Sequence, residues 1–213
     1  MKDLRRACAA GSRFVRPLFS ILLLAGTALA GDAMAATYRT VLLPLPAPPP
    51  GGTGGARALD INATGEIVGQ YYFTDSNGFG GNYAVAWSPP DYAVRALPPS
   101  SQGVNAMLAS RVSDDGDIIG TAALLTVIGN GAVLWKPSAG PGVYMEPADG
   151  HTTVADINAS GIAVGQIGPL GEFALWTDPS TYTLLSVPDY TTPYAMNDSE
   201  VVVGTVGSGT AFK

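Results

Sequence analysis

ALDINATGEIVGQ, residues 58–70, returns in altered form three more times: ASRVSDDGDIIGT at 109–121, VADINASGIAVGQ at 154–166 and YAMNDSEVVVGT at 194–205. One shared position, Asn62, Ser113, Asn158 or Asn197, is followed seven residues on by a glycine: Gly69, Gly120, Gly165 and Gly204. These shared Asn or Ser positions lie 51, 45 and 39 residues apart. A period of that size marks an array of small equivalent units. Within the first copy, Ala56–Ile61 reads as a strand and Glu66–Phe73 as a second one, rich in β-branched and aromatic residues. Asn62-Ala63-Thr64-Gly65 between them is a hairpin turn. Asn bonds its own backbone and glycine supplies a positive φ. Gly116 and Gly161 hold the place of Gly65 in the next two copies, and Glu200 stands there in the fourth.

Outward from the hairpin the unit continues. Asn82–Trp87 reads as a third strand closed by Ser88-Pro89-Pro90, and Tyr92–Leu97 as a fourth before Pro98-Pro99. Trp87, Trp135 and Trp176 occupy one place in the unit. Large aromatics repeated at one position supply buried area between units, and a sugar-stacking platform is the functional alternative. The mid-strand glycines Gly69, Gly120, Gly165 and Gly204 mark a close approach by a neighbouring strand or a Trp ring. No segment of the expected mature chain offers a capped amphipathic helix. Four short antiparallel strands per unit is the pattern of a propeller blade. The expected fold is therefore all-β: a propeller, or a partial or open propeller, of about four four-stranded blades. The units fall at 57–97, 109–145, 154–187 and 194–212.

A spare copy of the fourth-strand phrase, Tyr38–Leu45 (YRTVLLPL), precedes the first hairpin. The fourth unit, ending in Ala211-Phe212-Lys213, has none of its own. Closing the ring would pair Tyr38–Leu45 with residues 205–212. An open array is the alternative. Gly51-Gly52-Thr53-Gly54-Gly55 reads as a flexible connector, and Thr74–Gly81 as the most distinctive loop insert.

The phrase A-x-x-I-N-x-x-G-x-x-V-G, followed by A-F-x-W, resembles the HAF-type extracellular repeat of bacterial exported proteins. The resemblance spans residues 36–213 and is closest in copies one and three. Copy two departs at Ser113, and copy four at Glu200. The resemblance implies export and propeller-like β repeats, and brings no catalytic residues with it.

Export is also expected from the start of the chain. Lys2, Arg5, Arg6, Arg13 and Arg16 precede the 14-residue apolar run Pro17–Ala30, and Ala33-Met34-Ala35 fits a cleavage site. Residues 1–35 then form a signal peptide and 36–213 the β-repeat domain, secreted, periplasmic or at the cell surface. A cut after Ala30 is the second choice. The run is shorter than the roughly 18–20 residues of a membrane anchor. Cys8, the only cysteine, lies within this segment, so the mature chain would hold no disulfide. It would keep six basic and 15 acidic residues. That acidity makes nucleic acid and anionic lipid poor partners, and no membrane span would remain after cleavage.

Candidate chemistry is sparse. Asp114, Asp115 and Asp117 crowd one turn and make weak calcium candidates, but the loop lacks the spacing and closing Glu of an EF-hand. No cofactor is expected. His151 is the sole histidine, and no nucleophile motif such as G-x-S-x-G accompanies it. Asn62, Asn158 and Asn197 also begin N-x-S/T sequons, a by-product of the turn. The expected function is a non-catalytic binding or scaffold module for an extracellular glycan or protein. A polysaccharide hydrolase or lyase on the same scaffold is the alternative.

Overall fold

The computed structural model describes residues 40–102, 104–124, 129–137, 140–148, 151–187, 191–207 and 210–212. The expected signal peptide lies outside the described residues, as do Tyr38 and Arg39. Described secondary structure is all β. No described helix is long and apolar enough to cross a membrane.

Four sheets follow one another, each a meander of antiparallel neighbours in chain order. Blade 1 comprises β1 (Thr53–Ile61), β2 (Ile67–Thr74), β3 (Gly80–Ser88) and β4 (Ala93–Ala96). Blade 2 comprises β5 (Ala106–Val112), β6 (Ile118–Ala123), β7 (Asn130–Trp135) and β8 (Val143–Tyr144). Blade 3 comprises β9 (Thr153–Ile157), β10 (Ala163–Ile167), β11 (Glu172–Asp178) and β12 (Thr181–Leu184). Among the described residues blade 4 has three strands: β13 (Thr192–Met196), β14 (Val202–Val206) and β15 (Thr210–Phe212). The architecture is an open, propeller-like array.

The hairpin turns are built as their residues dictate. Asn62 Oδ1 accepts from the N–H groups of Thr64 and Glu66 at 3.1 and 2.9 Å. Asn158 and Asn197 do the same for their own turns. Ser113 Oγ takes one of these bonds, from Asp117 N–H at 3.0 Å. Gly65, Gly116 and Gly161 have φ between +75° and +86°. Glu200 adopts the same left-handed geometry at +59°.

Each first strand carries a bulge opposite the mid-strand glycine. A Cβ on Gly69, Gly120 or Gly165 would overlap the carbonyl oxygen of Arg57, Leu108 or Thr153 respectively. The close approach is therefore backbone from the neighbouring strand of the same blade, with no Trp ring involved. Gly204 holds the same register position, opposite Pro193.

Blades stack through alternate side chains. Val68 and Val112 belong to one core between blades 1 and 2, Ile119 and Ile157 to one between 2 and 3, and Val164 and Met196 to one between 3 and 4. Trp87, Trp135 and Trp176 are buried on the faces that point toward the preceding segment. Their indole N–H groups donate to the carbonyls of Pro44, Pro98 and Glu146 at 2.8–2.9 Å. Pro98 and Glu146 lie just past the outermost strand of the preceding blade. The chain leaving one blade thus straps the edge of the next.

Three expectations need correction. Residues 40–45 form no strand and do not pair with β15, so the closed ring is not made. The segment serves as the strap of blade 1, with Pro44 on Trp87 and Leu43 against the Tyr71, Val85 and Trp87 cluster. The glycine-rich connector is in fact half strand: β1 starts at Thr53. The Tyr71 and Tyr72 hydroxyl ends lie where Cβ atoms of Gly54 and Gly55 would be, so glycine there admits the rings. Finally, Thr74 and Gly80 pair directly, which shrinks the loop insert to Asp75–Phe79. Asp75 Oδ1 closes it by accepting from the N–H groups of Asn77 and Phe79.

Candidate functional site

The repeat fixes most positions, so a site is best sought where equivalent positions differ. The residue after the turn glycine is Glu66 in blade 1 and Asp117 in blade 2, but Ile162 and Val201 in blades 3 and 4. The residue after the Trp is Ser88, Lys136 and Thr177. Folding these hairpins does not require charge there, because blade 3 forms without it.

In blade 1, Glu66 Oε1 accepts from Arg95 Nη2 at 2.6 Å and from Ser88 Oγ at 3.3 Å. β4 places Arg95 opposite Ala86, and Glu66 immediately precedes β2. In blade 2, Lys136 Nζ lies 2.8 Å from Asp117 Oδ2. Both carboxylates are largely shielded while both cations are about half exposed. Between blades 1 and 2 a cleft of about 320 Å³ opens, lined by Glu66, Arg95, Pro98, Trp135, Lys136 and Pro137 among others. Two half-exposed cationic side chains beside Leu97, Pro98, Ile118 and Pro137 suit a ligand that offers hydrogen-bond acceptors on a partly apolar body. A smaller, mainly apolar cleft between blades 2 and 3 is bordered by Leu134, Val143, Pro179 and again Lys136.

The residues singled out from sequence are placed as follows. Trp87, Trp135 and Trp176 are core, each with its indole N–H used by a strap, and their burial leaves no ring face for a sugar. Asn62, Asn158 and Asn197 make turns, and Asn62 Nδ2 also reaches the next blade at Ser113 O. The three clustered aspartates do not converge on one point. Asp114 Oδ1 accepts from Ala63 N–H at 2.8 Å, Asp117 pairs with Lys136, and Asp115 is exposed at the turn. Among the described residues, no group of three or more His, Cys, Asp or Glu is arranged to hold a metal ion. His151 is exposed in the connection before β9.

Sequence reading missed Glu66, Arg95 and Lys136 as a set. Arg95 and Glu66 are 29 residues apart and Lys136 belongs to another copy. The available signal was their departure from the repeat at equivalent positions. It also missed the latches between blades. Asp60 Oδ2 accepts from Val112 N–H at 3.0 Å, and Asp156 Oδ2 from Met196 N–H at 2.7 Å. Compared with known proteins, the chain matches no family model and no curated sequence.

Proposed function

We propose that the chain is a non-catalytic binding module, exported from the cell after loss of residues 1–35, that holds an extracellular glycan or peptide in the cleft between blades 1 and 2. The observation that carries this reading is the placement of Glu66, Arg95 and Lys136 at one cleft, with Arg95 and Lys136 at positions that are uncharged in the other blades. The likeness of the hairpin phrase to HAF-type extracellular repeats supports export. Among the residues lining the cleft, Glu66 is the sole carboxylate, and it is held by Arg95. Glycoside hydrolysis by two carboxyl groups needs a second one at about 5–9.5 Å.

The test is a glycan array and a peptide pull-down with the full chain, repeated with Arg95→Gln and Lys136→Gln. A hydrogen bond to a charged group contributes about 1.5–3 kcal/mol, so each variant should weaken binding roughly tenfold to a hundredfold. Binding unchanged in both variants would remove the cleft from consideration. Turnover of a polysaccharide in the same assay would replace the reading with an enzymatic one.

A further inference from the structure

The three internal blade junctions share one pattern, and its two halves are left open at opposite ends of the array. At each junction the residue before the mid-strand glycine shares a buried cluster with the residue before the turn Asn or Ser of the next blade. The pairs are Val68 with Val112, Ile119 with Ile157 and Val164 with Met196. All six are buried. The same first position in blade 4 is Val203, 42% exposed, and the same second position in blade 1 is Ile61, 59% exposed. Tyr194 and Val201 are also exposed on blade 4, and Ala58 on blade 1. A cavity of about 520 Å³ borders Ala58, between the strap residues Leu42–Leu45 and Ala56, Ala58 and Trp87.

We infer that blade 4 of one copy docks on blade 1 of a second copy, repeating the internal junction between chains. The occupant is set by continuity with interfaces already formed three times within the chain. Val203 and Ile61 would share a buried cluster, as Val164 and Met196 do. The strap supports the same register. At an internal junction the strap continues directly from a fourth strand: Ala96 lies opposite Val85, and Pro98, two residues on, takes the Trp135 indole bond. Leu42, 94% exposed and outside every sheet, stands in the same relation to Pro44. In the docked pair it falls opposite Phe212 of β15, which among the described residues pairs with β14 alone. One copy's strap segment would therefore run beside the other copy's β15. The contact joins unlike surfaces, so it either closes or propagates. Two copies give eight blades, within the four to eight of closed propellers. This inference is independent of the binding cleft.

Native mass spectrometry of the full chain should show twice the chain mass, or a head-to-tail series. Val203→Asp and Ile61→Asp place a charge on faces that are open in the single chain, so both variants should fold, and both should be monomeric. A second measurement uses Cys8→Ser chains carrying either I61C or V203C. Oxidation of a mixture should give the mixed disulfide in preference to either symmetric one. A wild-type chain that stays monomeric on concentration would overturn the inference. So would symmetric disulfides, which would mean like faces meet.

Discussion

Glu200 shows what a turn position demands of one residue. It occupies the place of Gly65, Gly116 and Gly161 with φ of +59°, and its N–H closes the turn on Asn197 O at 3.0 Å. An L-residue pays roughly 1–2 kcal/mol for that conformation. Glycine would relieve the strain but lose more entropy on folding, by roughly 0.5–1 kcal/mol. The first effect is the larger. Glu200→Gly should raise stability by up to about 1 kcal/mol, read as a higher denaturation midpoint with an unchanged slope. Gly120→Ala should do the opposite and far more strongly, because its Cβ would overlap the Leu108 carbonyl and neither strand can move without losing its register.

At the scale of the element, the Trp and its strap are the unit of blade closure. Trp135 is buried among Ile118, Val133 and Tyr144 and bonds Pro98 O from the preceding blade's exit. Trp135→Ala removes both and should cost about 3–5 kcal/mol in equilibrium unfolding. Trp135→Phe restores most of the apolar contact and leaves the Pro98 carbonyl without its donor. It should cost less, about 1–3 kcal/mol. The hairpins and the Trp positions were legible in sequence because their causes are local: Asx bonding, left-handed glycine and strand composition act within a dozen residues. The bulges were not, since Gly69 alone does not say that the Arg57 carbonyl crosses it. Asp60 gave no local sign of its role, because its carboxylate meets the Val112 amide across 52 residues. The charged cleft was hidden for the same reason, as Glu66 and Lys136 meet through the stacking of two blades.

Across the whole molecule, stability should be graded by position in the array, since each blade leans on its neighbours. Blades 2 and 3 are covered on both faces. Blade 4 is joined through Asp156, Asp198 and Gln166, yet among the described residues the buried Asn158 Nδ2 has no hydrogen-bond partner, whereas Asn62 Nδ2 has Ser113 O. In the Val203→Asp chain, amide exchange should be slowest in β6, β7, β10 and β11 and fastest in β13–β15. Equal protection in all four blades would mean that the array opens as one body. The straps add a direction in time. Every Trp bonds a carbonyl that comes earlier in the chain, never later. A chain emerging from its amino end has already made the acceptor when each new indole arrives, so blades can be finished one by one in the order of synthesis. A circular permutant that moved blade 1 to the end would keep its contacts and lose that order. During synthesis it should leave blade 2 waiting on an acceptor not yet made, while refolding of the complete chain should show no such delay.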